Sequence, residues 1–314
     1  MDFFSHFLIG IMISIFSLKS FSFSIVIYAA VMSVLADFDI FLEPLRLIKN
    51  SPFLSHKGLS HSYFFSLVIS FFTGLIFSSI TGEPLFLAWI IGFFFYNLHI
   101  TLDFLAASKI PILYPFSKKR YRFFIDRAIN PILALISGII FLLYIIIFFT
   151  LPELYFSNLI YYVLSFYVLY FIYRVITKLW VQARLPNNSL YIPGILLFSY
   201  LIYENQSEQN QQTFKLFKKL QFSSKKTLLL KSEIKFNSVE MDLYNKARAI
   251  SKSYLFFSKW KFIVPIIKID EKSVNVILIL AESYASNRAY ALNMTFDSVS
   301  NKLINIIEGF NNKL

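Results

Sequence analysis

Six apolar runs crowd the first 181 residues and limit what this chain can fold into: 3–18, 21–36, 63–80, 85–107, 129–151 and 159–181. Backbone groups placed in hydrocarbon are satisfied only in helices or closed barrels, so each run is predicted to be a helix. A span needs roughly 20 apolar residues, with about 17 as the lower limit. The first two runs are marginal and form either a short hairpin of spans or helices embedded at the interface. Charged residues make up 15 % of the chain and hydrophobic residues 57 %. A soluble domain carries roughly a quarter charged residues. The apolar excess stops near residue 181, and beyond about 204 the sequence reads as soluble. The expected fold is a membrane all-α helical core of about six transmembrane or membrane-embedded helices, followed by a small C-terminal α+β, β-rich soluble domain. The boundary is placed at 1–185 for the membrane part and 186–314 for a cytoplasmic tail.

Lysine and arginine alternate between the connections. The 37–60 loop carries Arg46, Lys49 and Lys57, and the 108–128 loop carries Lys109, Lys118, Lys119, Arg120, Arg122 and Arg127. Arg174, Lys178 and Arg184 mark the end of the sixth run, whereas the turns at 81–84 and 152–158 carry none. By the positive-inside rule this predicts an integral protein of the cell or inner membrane with both termini cytoplasmic. The first run has no basic leader and no small-residue cleavage site, so it reads as retained. The absence of cysteine excludes a disulfide framework and thiolate metal ligation.

In the tail, 263–269 and 274–280 are rich in β-branched residues and are separated by Asp270, Glu271 and Lys272, which predicts a hairpin. Segments 226–236 and 290–296 are further strand candidates, and 239–257 holds a short helix. The apolar spacing of 298–310 predicts a helix, and the Gln/Asn-rich 204–213 predicts a loop. Segment 190–203 is either a strand pair or an interfacial segment. The net charge is +12, and residues 205–314 hold 17 basic against 9 acidic residues. Membrane lipids are the expected partners, with anionic headgroups near the basic tail at about 1 kcal/mol per basic residue. No nucleic-acid motif accompanies the charge, so no nucleic acid is expected. The oligomeric state is not encoded in any pattern.

The chemistry-bearing residues sit at the ends of the runs. The chain has four histidines: His6, His56, His61 and His99. Asp37, Asp39 and Asp103 accompany them. Under the expected topology all seven lie at one membrane face. His99 and Asp103 are spaced i, i+4 and share a helix face. Asp37 and Asp39 flank one residue and would point the same way in an extended segment. His56 and His61 bracket Gly58, whose freedom allows a turn that aims both at one centre, and Ser60 is expected to cap the third helix. Imidazole plus carboxylate without thiolate suits a divalent metal, zinc first, with manganese or iron as alternatives. A lone histidine near a helix end is more often a cap or a packing residue than a ligand. The weight comes from every histidine falling at one face beside three aspartates. Asp103, bordering an apolar run, is costly without a purpose. Lys57 reads as a phosphate-binding cation or a topology marker. The KKRYR segment at 118–122 reads as a headgroup anchor.

Four ordered blocks resemble the YdjM-like family of inner-membrane proteins, described as metal-dependent hydrolases: SHFLIG at 5–10, VLADFDIF at 34–41, SHKGLSHS at 55–62 and NLHITLDFLAASKIPILYPFS at 97–117. They are similar to the family's opening His, its L-P-D-x-D-H block, its H-R-G-x-T-H-S block, and its H-x3-D block with the following G-[VI]-P-L-L-[WY]-P segment. The chain departs with Ala36 for Pro, Ile40 for His, Lys57 for Arg, Ser60 for Thr and Lys109 for Gly. Lys57 keeps the charge and loses the bidentate fork. The resemblance covers about residues 1–122 and implies a helical metal-binding core, with the zinc-dependent phospholipase C fold as a remote analogy. Some family members also carry a β-rich tail.

Together these readings predict a membrane-bound metal-dependent hydrolase acting on an ester or phosphoester, with a membrane lipid as the leading substrate. His56, His61, His99 and Asp103 are the leading ligands. Asp37, Asp39 and His6 come next as ligands or general base, and Lys57 binds substrate. The alternatives are a divalent-metal transporter or sensor, and a non-catalytic scaffold.

Overall fold

The computed structural model describes residues 3–18, 20–47, 57–106, 109–127, 130–150, 154–254, 256–257, 260–285 and 287–311. The chain divides into two compact units, Met1–Ile176 and Thr177–Leu314.

The first unit is helical. It holds α1 (Phe3–Leu18), α2 (Phe23–Met32), a 3-10 segment (Leu35–Leu47), a short 3-10 turn (Leu59–His61), α3 (Tyr63–Thr81), α4 (Leu85–Leu105), α5 (Pro131–Thr150) and most of α6 (Leu154–Arg184). Local chemistry sets the ends. The Ser62 hydroxyl accepts the Phe65 N–H at 3.2 Å and caps α3, so Ser62 takes the capping role expected of Ser60. Gly82, in the left-handed region at φ +74°, stops α3, and Pro84 precedes α4. Small residues bring the helices together. A Cβ on Gly74 would lie 3.1 Å from the backbone nitrogen of Trp89 in α4, and one on Gly92 would lie 2.4 Å from the Tyr28 hydroxyl in α2. Ile25, Ala29, Met32, Ala88, Phe95 and Ile100 fill the shared core. On α3, Phe72, Ile76 and Ile80 remain exposed at i, i+4 spacing, as a lipid-facing stripe does.

Among the described residues, three helices are long and apolar enough to cross a membrane: α3, α4 and the Asn158–Arg184 part of α6. α1 has 16 residues, which at about 1.5 Å per residue reaches about 24 Å, short of the roughly 30 Å hydrocarbon core. α2 has 10 residues and bends by 47° into the 3-10 segment, as in a broken span or a re-entrant loop. The expected six crossings are therefore corrected to three, or four with the bent pair. Three crossings leave the two ends of the chain on opposite membrane faces, which overturns the expectation that both are cytoplasmic.

The second unit is mostly sheet and is not the small domain expected: the sheet domain covers about 40 % of the chain. One antiparallel sheet has the order β1 (Ser189–Pro193), β2 (Ser199–Ser207), β3 (Gln211–Leu220), β4 (Lys226–Lys235). The helix α7 (Val239–Ser251) follows. A second antiparallel sheet has the order β5 (Ile263–Ile269), β6 (Ser273–Leu280), β7 (Ala289–Asp297), β8 (Leu303–Asn311). The predicted 263–280 hairpin is β5–β6, the strands predicted at 226–236 and 290–296 are β4 and β7, and the helix predicted within 239–257 is α7. Two expectations fail. Segment 204–213 is not a loop but the β2–β3 hairpin, in which the Gln212 amide donates to Asn205 Oδ1 at 3.0 Å across the ladder. Segment 298–310 is a turn and β8, not a helix. Asp297 Oδ1 accepts the Ser300 N–H at 2.7 Å and the Val299 N–H at 3.2 Å, and Asn301 sits at φ +53°. That turn sends the β-branched chain back along β7.

Candidate metal centre

Three elements deliver the centre. The 3-10 segment after α2 carries Asp37, the 3-10 turn before α3 carries His61, and the last two turns of α4 carry His99 and Asp103. One ligand atom from each of these four residues falls within a sphere where all lie within 4.8 Å of one another. His61 Nε2 is 3.1 Å from Asp103 Oδ2 and 3.7 Å from Asp37 Oδ1. His99 Nε2 is 3.5 Å from Asp37 Oδ1 and 3.8 Å from Asp103 Oδ2. Tetrahedral ligands about 2.1 Å from one ion lie about 3.4 Å apart, so these separations match a common centre. His61, His99 and Asp103 are wholly buried, and the Asp37 side chain is 15 % exposed.

Hydrogen bonding leaves lone pairs facing inward. His99 Nδ1 donates to the Ser33 carbonyl at 2.9 Å, which leaves Nε2 as the acceptor nitrogen. His99 Nε2 and Asp37 Oδ1 are buried yet make no hydrogen bond among the described residues. A buried polar atom left so is costly, and a cation between them removes that cost. On His61, Nδ1 lies 3.3 Å from Asp39 Oδ2 and 2.9 Å from Ser60 Oγ, so Nε2 is turned to the centre.

Asp39 itself faces the other way. Its Oδ2 accepts the Lys57 backbone N–H at 3.0 Å and the Ser60 hydroxyl. The segment is a 3-10 helix rather than extended. At three residues per turn, side chains two apart diverge by about 120°. Asp37 therefore reaches the centre while Asp39 ties down the 57–61 turn. His6 stands behind Asp103, donating from Nε2 to Oδ1 at 3.2 Å, with its ring stacked on His99 at 4.0 Å. His61 and His99 ring centres are 5.3 Å apart. His56 lies outside the described residues.

Lys57 is buried, and its Nζ is 2.7 Å from Asp103 Oδ2. Lys57, not Gly58, adopts the left-handed backbone, at φ +57°. For a lysine this costs about 1–2 kcal/mol. Burial works to lower the ammonium pKa, but the Asp103 and Asp37 charges outweigh it and raise it. Burial likewise works against a charged His61, yet Asp103, Asp37 and Asp39 lift its pKa to about 10.

Three groups escape a reading by residue type. The Ser33 carbonyl is a backbone atom and carries no signal in the sequence. Tyr96 donates its hydroxyl to the Ser60 carbonyl at 3.0 Å. Gly10 lets α1 approach the end of α2, where a Cβ would lie 2.0 Å from Ser33 Oγ.

The family model described as YdjM inner membrane protein matches residues 1–181. The chain belongs to this family. The match covers every residue of the buried cluster and stops before β1. No curated protein and no solved structure matches the chain. The buried His/Asp cluster is able to coordinate a metal ion close to apolar helices, and its donor set fits a divalent ion.

Proposed function

We propose that this protein is a membrane-bound metal-dependent hydrolase of esters or phosphoesters, with a membrane lipid as substrate. The observation that carries the reading is the buried convergence of Asp37, His61, His99 and Asp103 from separate elements at the ends of apolar helices. Such a set would hold zinc, manganese or iron, which supplies a Lewis acid and a water acidified towards neutral pH. His99 and His61 present their Nε2 lone pairs because Ser33 and Asp39 engage their Nδ1 atoms. Asp37, the most open of the four, is assigned as the base that would take a proton from an attacking water. His6 steadies Asp103 from behind. The helix-end position favours hydrolysis over transport, since transporter sites gather near the bilayer midplane on broken helices. The basic tail is assigned to anionic headgroups.

The test uses full-length protein in lipid nanodiscs, with and without zinc or manganese, against a panel of phospholipids and chromogenic phosphoesters and esters. Metal-dependent turnover that disappears in His61→Ala is expected. One bound ion per chain with no turnover on any of these substrates would refute hydrolysis and leave a metal-binding scaffold.

A further inference from the structure

Lys57 brings a positive charge to the edge of the cluster. Its ammonium is 2.7 Å from Asp103 Oδ2, the oxygen that also faces His61 Nε2 at 3.1 Å. The other oxygen of Asp103 is held by His6 at 3.2 Å. Both oxygens of Asp103 are thus engaged. Of the other two nearby carboxylates, Asp37 turns Oδ1 to His61 and His99, and Asp39 spends Oδ2 on the Lys57 N–H and the Ser60 hydroxyl. Two-metal hydrolases bridge ions about 3.5–4 Å apart through shared carboxylates, and Asp103 has no such place left.

The backbone makes the same point. The turn has a glycine, Gly58, that takes a left-handed conformation without strain, but Gly58 sits at φ −89° and Lys57 at φ +57°. The strain is placed on the residue whose side chain reaches Asp103. Asp39 holds its N–H and Asp103 its ammonium, so two aspartates fix the lysine at both ends. A solvated topology marker would need neither the burial nor the strain.

We propose that Lys57 is the built-in second cation of this centre: the site takes one divalent ion, and the ammonium occupies the place of another. The inference rests on the metal-site reading above. A positive charge sharing a ligand oxygen with the ion weakens the binding of that ion, so neutralising Lys57 tightens it.

The experiment is zinc titration of the full-length protein in detergent, followed by elemental analysis, for wild type, Lys57→Met, Lys57→Gln and Lys57→Arg. Wild type and Lys57→Arg are expected to hold one equivalent with similar affinity. Lys57→Met and Lys57→Gln are expected to bind at least tenfold more tightly. Two equivalents in wild type overturn the inference without any variant, and so does a gain below tenfold in a folded neutral variant. Wild type that binds no ion refutes the metal-site reading instead, so the two failures are distinguishable.

Discussion

Gly10→Ala tests how the centre is oriented. The added Cβ would lie 2.0 Å from Ser33 Oγ and 2.4 Å from Ser33 Cβ. Real contacts are longer, so α1 or the end of α2 must move. Ser33 cannot simply turn away, because its hydroxyl is bonded to the Ala30 carbonyl at 2.6 Å. Overpacking of this kind costs about 1–3 kcal/mol, and the better helix propensity of alanine returns about 1 kcal/mol. A net loss of about 1 kcal/mol is expected. The larger effect falls on metal binding. The Ser33 carbonyl fixes the tautomer and the direction of His99, and such orienting partners are worth about 10- to 100-fold in metal affinity.

The assay pairs a thermal midpoint with zinc titration, and a rescue variant controls it. Ser33→Gly in the Gly10→Ala background removes the clashing Cβ and Oγ while keeping the carbonyl, and affinity should return to within threefold of wild type. Unchanged affinity in Gly10→Ala, or a loss that Ser33→Gly does not restore, refutes the chain of contact from Gly10 through Ser33 to His99.

Other consequences can be measured alongside. Asp103→Ala and His61→Ala should lose stoichiometric metal by elemental analysis, whereas Asp39→Asn should retain it at about 10- to 100-fold lower affinity, because Asp39 orients rather than faces the centre. Zinc affinity should rise with pH. The His61 pKa is raised to about 10 by its three carboxylates, so below that pH its proton must leave on binding, and affinity falls by up to about tenfold per pH unit of acidification. Calorimetry in buffers of different ionisation enthalpy should register the released proton. A second buried polar network joins the 109–127 segment to α6. Tyr170 donates to Asp126 Oδ2 at 2.5 Å, Asn130 donates to Asp126 Oδ1 at 3.1 Å, and Arg174 Nη2 lies 3.6 Å from Asp126 Oδ1. Arg174→Met should cost about 3–5 kcal/mol by stranding Asp126, and Tyr170→Phe about 1–3 kcal/mol, read from thermal midpoints.

Asp37, His61, His99 and Asp103, which the structure brings together, stood out in the sequence among seven candidates, but the directions of their side chains did not. The i, i+4 pair His99 and Asp103 follows from helical periodicity alone. Asp37 and Asp39 did not separate, because their divergence depends on a 3-10 winding that no residue between them announces. The left-handed position fell to Lys57 although glycine is the residue expected there. The count of spans failed on length. Apolar runs of similar composition include α1, which stops short of the hydrocarbon thickness, and α2, which bends before crossing. In the tail, LINIIEGF reads at helical spacing, but its β-branched residues and Gly309 suit a strand, and the Asp297–Asn301 turn decides it.

The tail supplies no atom to the cluster among the described residues, and its charge is arranged differently. Lys215 pairs with Lys231 and Lys219 with Lys226 across β3 and β4. Like charges directly opposite one another destabilise a ladder, and Glu233, 2.7 Å from Lys231, and Glu204, 3.8 Å from Lys226 and opposite Lys215, relieve part of that. A stripe kept against this cost fits an anionic partner. Lys215→Glu with Lys226→Glu should leave zinc stoichiometry unchanged, since every cluster residue lies in the first unit. It should abolish the slowing of hydrogen exchange in β3 and β4 that wild type is expected to show when nanodiscs of neutral lipid are replaced by nanodiscs containing phosphatidylglycerol. The contrast should weaken with salt over a Debye length of about 10 Å at 0.1 M. Equal exchange in the two lipids for wild type would mean that the stripe is a solvated face, and the headgroup assignment would fall while the metal centre stood.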